Sequence, residues 1–471
     1  MSNKTHFVLN NQEIVASEHP GMLALDYLRR QQKLMGTKEG CKEGDCGACT
    51  VLIGELNSGR VSYKPVTSCL MPLGELQGKH LVTIEGLNIP ELTPVQQAIV
   101  DEGATQCGFC TPAIVVSLTG YLMQDGVKIT PEGIKYALSG NLCRCTGYRS
   151  LKHSEVHLKK SVNGKTGVKN LVAQKMLPEY FKDIPSRLKN IVKGIPKNGN
   201  GKASGVFIAG GTDIYIQKGE IIPDSSVSIL NLHPEMKGIS KENGQIRAGA
   251  LTTFEEFANH PEIQKIIPHI QDYMFLIASW QIRNRATLGG NVINASPIGD
   301  MTILLLALEC QLVLKKGRKE RTVPMTSFYK GYKDLAKSPE EVLIQILIPK
   351  STKNTKIDWE KVSKRKYLDI ASVNSAIRIR TTGDMIKEVG LAIGGVAPVP
   401  LFMKKTSQSL IDKPISKKLV MDAIQVAQGE ISPISDIRGS AEYKRVLVRQ
   451  LLISHFCKLF PEQLKVGELI S

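Results

Sequence analysis

The chain has no apolar run long enough to cross a membrane. Its greasiest stretch, 303–314, carries Glu309 and suits a buried helix or strand. The first residues, 1–11, are polar and lack the apolar core of a secretory signal. A cytoplasmic protein is the expectation, with thiols kept reduced and disulfides disfavoured. Aromatic residues make up only 5% of the chain, and the scattered lysines (159–160, 315–319, 361–366, 404–405) are not interleaved with them as in an RNA-binding sheet. The stretch 193–205 has four glycines and three lysines but no G-x-x-x-x-G-K-[ST], so it reads as a surface loop. His153 and His157 lack the glutamate of H-E-x-x-H and read as an exposed helix face. No Ser/His/Asp or paired-carboxylate set stands out, and no catalytic residue is assigned.

Cysteine is what the chain has, and in one place. Eight of its ten cysteines fall between Cys41 and Cys145. Cys41, Cys46, Cys49 and Cys69 read C-x4-C-x2-C with a distant fourth, the plant-type ferredoxin spacing for a [2Fe–2S] cluster. Gly40, Gly44 and Gly47 give the loop its backbone freedom, and the N–H groups of Gly44 and Gly47 can reach the sulfurs. Cys107, Cys110, Cys143 and Cys145 read C-x2-C…C-x-C. Both halves are expected where helices begin, within a four-helix arrangement whose positive N-termini suit an anionic thiolate cluster. Disulfides and structural zinc are the alternatives, and C-x-C fits zinc poorly. Cys310 and Cys457, in apolar runs, read as core thiols.

At 471 residues, three or four domains are expected. Asn10-Asn11 marks a hairpin between strands 7–10 and 13–16, and 24–30 is an amphipathic helix. Strands are expected at 50–53, 62–66 and 82–84. Residues 94–155 turn helical, with Pro94 at a first helical position. Residues 156–176 lose apolar periodicity and read as an exposed linker. Strand 206–208 enters Ala209-Gly210-Gly211-Thr212-Asp213, where backbone amides can approach a phosphate, although the template G-x-G-x-x-G is absent. Segment 281–300 carries Gly289-Gly290 between apolar blocks 273–278 and 301–308. It reads as a buried loop holding a polar ligand such as a dinucleotide, or as a hairpin turn. A strand at 342–349 and a polar connection at 351–356 lead to a last domain, with strands near 369–379 and 385–393 and helices near 417–428 and 441–460.

The stretches TKEGCKEGDCGACT (37–50), QCGFCTP (106–112), GNLCRCTGY (140–148), AGGTD (209–213), 281–300, KRKYLDIA (364–371) and SDIRGSAEY (435–443) resemble the iron–sulfur/FAD small subunit of the molybdenum-hydroxylase family, in its xanthine dehydrogenase branch. The resemblance implies an α+β multidomain chain. Its parts are a plant-ferredoxin-like β-grasp domain (1–88), a helical [2Fe–2S] domain (89–158), a linker (159–176), an α+β FAD-binding domain (177–352) and a C-terminal α/β flavoprotein domain (353–471). It implies that the eight cysteines ligate two [2Fe–2S] clusters. FAD would lie between the loop Phe207, Ile208, Ala209, Gly210, Gly211, Thr212, Asp213 and Ile214 and the positions Thr287, Gly290, Asn291 and Asn294, with Ile277, Asp300, Leu343 and Lys361 as further contacts. Gln106 would lie near a partner's pterin. The implied partner is a molybdopterin-binding large subunit in an α2β2 heterotetramer, with NAD+ as co-substrate and hypoxanthine or xanthine oxidised to urate. An aldehyde or N-heterocycle hydroxylase with another acceptor is the alternative, and a zinc-binding scaffold the remote one. Ile277 replaces a frequent phenylalanine, losing the stacking on the flavin ring. Leu368 replaces a polar or acidic residue near the flavin, which bears on the electron acceptor. Formal charge is +17; two oxidised clusters on eight thiolates lower it by about 4 and flavin phosphates by about 2 more. The remaining basic surface suits an acidic partner subunit, with neither nucleic acid nor membrane as partner.

Overall fold

The computed structural model describes residues 4–194, 205–350 and 352–470. Most of the glycine- and lysine-rich stretch 193–205 therefore lies outside the described residues. The chain forms two compact units. One comprises Met1–Leu232 with Ser279–Ala286, and the other His233–Ala278 with Thr287–Ser471.

The first unit opens with β1 (Thr5–Leu9) and β2 (Gln12–Ala16), paired antiparallel with Leu9 opposite Gln12. Asn10-Asn11 makes the turn, with Asn10 left-handed at φ 51°. A helical stretch follows, Ala24–Asp26 continued by a π turn at Tyr27–Gln31. Then β3 (Thr50–Asn57), β4 (Arg60–Thr67) and β5 (His80–Val82) complete a mixed sheet in the order β2-β1-β5-β3-β4. Only β1 and β5 run parallel in it. Phe7, Leu28, Val51, Val66, Leu73 and Leu81 fill its core.

Four helices follow: α1 (Pro94–Asp101), α2 (Thr111–Leu122), α3 (Pro131–Ala137) and α4 (Arg149–Val162). Pro94 stands in the first turn of α1, behind a Thr93–Gln96 capping box that satisfies two end N–H groups reciprocally. The exposed-linker reading of 156–176 needs correcting. Residues up to Val162 belong to α4, and α5 (Val168–Ala173) follows. Leu158, Val162, Leu171 and Val172 are buried in the same core as α1–α4. A left-handed turn at Asn163 (φ 47°) breaks the register between the two helices. No single 3.6-residue period spans the stretch, and the lysines on the outer faces dominate its composition. Next, α6 (Ile184–Lys193) packs on Val8 of the sheet. A parallel pair, β6 (Val206–Ile208) and β7 (Val227–Ile229), closes the unit with α7 (Ile214–Lys218) between them.

Among its described residues the second unit has two large sheets and a two-stranded ribbon, Tyr329–Gly331 with Asp334–Leu335. In the first, β8 (Ile239–Glu242), β9 (Gln245–Gly249), β10 (Gln311–Lys316), β11 (Lys319–Pro324) and β12 (Val342–Ile348) lie antiparallel in the order β11-β10-β12-β9-β8. Helix α8 (Leu288–Asn294) and helix α9 (Asp300–Ala307) precede β10. The apolar run 303–314 is thus the end of a buried helix and the start of a strand. The second sheet, β13 (Thr355–Val362), β14 (Val373–Thr382), β15 (Met385–Gly394) and β16 (Leu401–Phe402), is antiparallel throughout and carries Lys417–Glu430 and Ala441–Leu459 against it. The antiparallel pairing makes this C-terminal layer α+β in type rather than α/β. Cys310 is buried, which pushes its thiol up; Cys457 is half-buried against the C-terminal core. No helix among the described residues is long and apolar enough to cross a membrane.

Candidate redox centres: two cysteine groups and a glycine turn

The loop between the π turn and β3 gathers three cysteines by turning through left-handed positions at Lys42, Gly44 and Gly47. Its backbone is aimed at the sulfurs. Cys41 Sγ accepts from the N–H groups of Glu43 and Cys46 at 3.3 Å each, and Cys46 Sγ accepts from Cys41 N–H at 3.4 Å. Strand β4 delivers Cys69 through the single turn Ser68–Leu70, and Ser68 Oγ donates to the Cys49 carbonyl at 2.8 Å. Cys49 and Cys69 are 2% and 1% exposed. Hydrogen bonding to Cys49, then burial, then the charges of Cys49 and Cys41 push the Cys69 thiol far up. Cys49 moves the opposite way, because the Cys69 thiol bonds to it. Thiols paired in this way cannot all ionise as free thiolates. Ferric iron in place of the protons removes that conflict, so the donor set fits a cluster.

In the second group, Cys110 stands at the N-cap of α2. Cys143 and Cys145 do not begin a helix as expected. They lie in the loop after α3, and α4 starts only at Arg149. Tyr148, left-handed at φ 66°, turns back so that its hydroxyl accepts from Cys143 N–H at 2.9 Å. Of these four cysteines, Cys110 alone stands at a helix N-cap. Cys145 and Cys107 sulfurs are 3.6 Å apart, and Thr146 Oγ1 lies 3.1 Å from Cys143 Sγ. Burial, then Cys143, push the Cys110 thiol up to about 12. The Phe109 amide, then the Cys145 thiol, bring Cys107 down; Cys107 and Cys145 are exposed.

The two groups are braced together. Leu142 N–H donates to the Cys46 carbonyl at 2.9 Å. Asn141 Nδ2 donates to the Gly47 carbonyl at 3.1 Å, while Asn141 Oδ1 accepts from Ser117 Oγ at 2.7 Å and Gln281 Nε2 at 3.0 Å. A Cβ at Gly47 (φ 66°) would stand 2.0 Å from the Gly140 carbonyl oxygen, so glycine is required there. Sequence reasoning missed Asn141 and Gln281 as partners. They are 140 residues apart, and a polar residue beside a cysteine motif gives no sign of its distant acceptor.

In the same unit, Ala209-Gly210-Gly211-Thr212 follows β6. Its carbonyls are taken: Asn231 Nδ2 donates to Ala209, Arg285 to Gly210 and Tyr215 N–H to Gly211. The N–H groups of buried Gly210 and Gly211, and the N–H and hydroxyl of Thr212, have no partner among the described residues. Successive unpaired amides of this kind form an anion-binding concavity, which fits a dinucleotide pyrophosphate. Phe207 and Ile208 belong to β6, and Asp213 and Ile214 lead into α7.

The second glycine pair behaves differently. Residues 288–294 are helical, neither a loop nor a hairpin, and Thr287 Oγ1 caps them by accepting from Gly290 N–H at 3.0 Å. The N–H groups of Leu288 and Gly289 donate to Thr252 and Ala250 carbonyls. A Cβ at Gly289 would stand 2.7 Å from Ala250, so this glycine serves packing. Asn291 Oδ1 holds Thr302 N–H and Oγ1, and Asn294 accepts from Lys333. Asp300 Oδ2 meets Lys361 Nζ at 2.7 Å, and its Oδ1 meets Asn374 Nδ2 at 2.6 Å. Lys361 also donates to the Leu276 carbonyl at 2.9 Å, beside buried Ile277; Leu343 is buried on β12. Leu368 is left-handed (φ 51°), and its carbonyl accepts from Arg365.

Four families match in chain order. Residues 7–73 match the 2Fe-2S iron-sulfur cluster binding domain, and 83–154 the [2Fe-2S] binding domain. Residues 184–351 match the FAD binding domain in molybdopterin dehydrogenase, and 360–459 the CO dehydrogenase flavoprotein C-terminal domain. The chain belongs to the molybdenum hydroxylases and comprises their iron–sulfur and flavin-binding part. Xanthine dehydrogenase of Drosophila subobscura is 28% identical over 98% of the chain and 39% of its own length. Aldehyde oxidase 1 of Rattus norvegicus is 29% identical over 96% of the chain, again covering 39% of its own length. The chain thus spans about two fifths of these relatives. Among solved structures, a carbon monoxide dehydrogenase from Hydrogenophaga pseudoflava, lacking the Mo-pyranopterin moiety of its molybdenum cofactor, matches with a TM-score of 0.50 and 29% identity, over 52% of this chain and 86% of that one.

Proposed function

We propose that this chain is the electron-transfer subunit of a xanthine dehydrogenase. In this reading it pairs with a molybdopterin-binding large subunit in an α2β2 assembly and takes electrons from hypoxanthine or xanthine oxidation to NAD+. Bound clusters would carry electrons singly, and bound FAD would collect two of them for hydride transfer. The observation that carries the reading is the convergence of the two cysteine groups ahead of a flavin-binding region, in a chain aligned over 98% of its length with a xanthine dehydrogenase.

Cys41, Cys46, Cys49 and Cys69 would hold the first cluster, and the N–H groups aimed at Cys41 and Cys46 would stabilise its reduced state. Cys107, Cys110, Cys143 and Cys145 would hold the second, and its exposed thiols suit exchange with the partner's molybdenum centre. Gln106, whose Nε2 donates to the Cys145 carbonyl at 3.2 Å, would stand on that side. The free amides of Gly210, Gly211 and Thr212 would take the flavin pyrophosphate. Thr287, Gly290, Asn291, Asn294, Ile277, Leu343 and the Asp300–Lys361 pair would supply further flavin contacts.

The test is the complex reconstituted with the large subunit, assayed with hypoxanthine and NAD+ anaerobically. Two NADH per urate are expected, one for each of the two hydroxylations. Turnover only with an aldehyde, or only with oxygen, would replace this reading by that of an aldehyde or N-heterocycle hydroxylase subunit.

A further inference from the structure

Arg285 lies near the end of the segment Ser279–Ala286 that belongs to the iron–sulfur unit, and its side chain is 2% exposed. Its Nη2 group serves three oxygens: the Gly210 carbonyl at 2.6 Å, Glu75 Oε2 at 2.9 Å and the Leu70 carbonyl at 3.4 Å. These acceptors come from separate places. Gly210 begins the turn with the unpaired amides, Leu70 follows Cys69, and Glu75 lies on the next turn, Leu73–Leu76.

The backbones meet there as closely as backbones can. A Cβ on Gly210 would stand 2.0 Å from the Arg285 carbonyl oxygen, and one on Gly211 (φ 78°) would stand 2.2 Å from the Leu70 carbonyl oxygen. Cys49, Cys69, Ile208 and Tyr215 share one apolar cluster around the contact. The buried charge is matched. Burial alone would raise the Glu75 carboxyl, but Arg285 and Lys79 together hold it below the usual range. Lys79 in turn meets Glu75 at 3.3 Å and Glu55 at 2.6 Å. A buried guanidinium needs acceptors for the N–H groups its carboxylate partner leaves over, and Arg285 finds them in carbonyls on two separate turns. Here the same nitrogen that neutralises Glu75 also ties the turn after Cys69 to the glycine turn.

We propose that Arg285 is a positioning residue for electron transfer between the first cluster and the flavin, clamping the Gly210-Gly211 turn onto Leu70 beside Cys69. The proposal rests on the cofactor assignment above. In the step it serves, one electron leaves the reduced first cluster, whose ferrous iron becomes ferric, and arrives on the flavin ring. A second electron, with protons from water, completes flavin reduction.

The test uses the full chain carrying clusters and FAD. Viologen radical made by pulse radiolysis injects one electron, and cluster and flavin absorbance report its equilibration, read on the flavin-bearing fraction. Arg285→Met should slow cluster–flavin equilibration severalfold, with iron content unchanged. Arg285→Lys, which keeps the charge but not the fork, should recover part of the rate. In cofactor-free protein, amide hydrogen exchange should rise together at 70–75 and 209–213 in Arg285→Met and stay unchanged at 94–122. If Arg285→Met does not fold, Glu75→Gln keeps both carbonyl contacts and should give a smaller slowing. A wild-type equilibration rate in Arg285→Met, or in Glu75→Gln where that variant stands in, overturns the clamp alone. Wild-type protein that takes up neither flavin nor iron overturns the cofactor assignment, and the clamp with it.

Discussion

Cys49 and Cys69 sit at 2% and 1% exposure in an apolar cluster shared with Ile208 and Tyr215, whereas Cys107 and Cys145 face solvent beside exposed Phe109 and Leu142. Each group has four cysteines, but the first exposes none (Cys41 and Cys46 are half-buried), while the second exposes two and buries only Cys143. The first is closed off by the sheet and by the turn that leads to the glycine loop. The second is capped on one side only, by α2 and the Tyr148 hydroxyl. A chain that only stored electrons would gain nothing from leaving one group open. One buried and one open group, joined by the hydrogen bond from Leu142 to the Cys46 carbonyl, suit a wire with an inner and an outer end.

Removing a ligand from each end tests that contrast most severely. Cys49→Ala should lose the first cluster and lower the melting temperature, because the thiol is part of a core. Cys145→Ala should lose the second cluster with little change in melting. Iron in each variant should fall to about half that of wild type. Equal melting losses in the two variants would erase the distinction.

Thiol chemistry gives the next largest separation. In iron-free protein, iodoacetamide should modify Cys107 before Cys49 or Cys69, as mass spectrometry of timed digests would read. The Phe109 amide lowers the Cys107 thiol, so its thiolate persists to lower pH than a free cysteine's. The midpoint of its alkylation rate against pH should fall below the ordinary thiol value. Cys110, pushed up to about 12, should stay unmodified at neutral pH.

Two glycines sharpen the comparison at the level of backbone. Gly108 (φ 80°) has open space where a Cβ would go, so Gly108→Ala should cost only the left-handed strain, about 1–2 kcal/mol. Gly47→Ala adds a clash with the Gly140 carbonyl, bringing the loss to roughly 3 kcal/mol or more in denaturant titration. The smallest effect is expected at Thr146. Removing its hydroxyl from Cys143 Sγ in Thr146→Ala should lower the second cluster's potential by roughly 20–60 mV, the worth of one hydrogen bond to the reduced state, and leave the first unmoved. Spectroelectrochemistry would read both.

The cysteine motifs, the Asn10-Asn11 hairpin and the Pro94 helix start were legible because each is written in residues a few positions apart. Helix α8 was not. Its glycines and asparagines mimic a loop, and its stability comes from the Thr287 cap and from contacts with Ala250 and Thr252. The packed stretch 156–176 was hidden by lysines that face outward while Leu158, Val162, Leu171 and Val172 face in. Strand β13 was missed because its half-exposed polar residues pair only through the register with β14. At the site, the donors were legible and their supports were not. Asn141, Gln281 and Arg285 act through partners up to 215 residues away, and no local pattern carries that information.

The account stands or falls on an electron paramagnetic resonance spectrum of the dithionite-reduced full chain, with metal content measured on the same sample. It predicts iron without zinc, and two separate iron–sulfur signals of equal intensity that relax differently with temperature. Stoichiometric zinc with no signal, or a single signal accounting for all the iron, would contradict it.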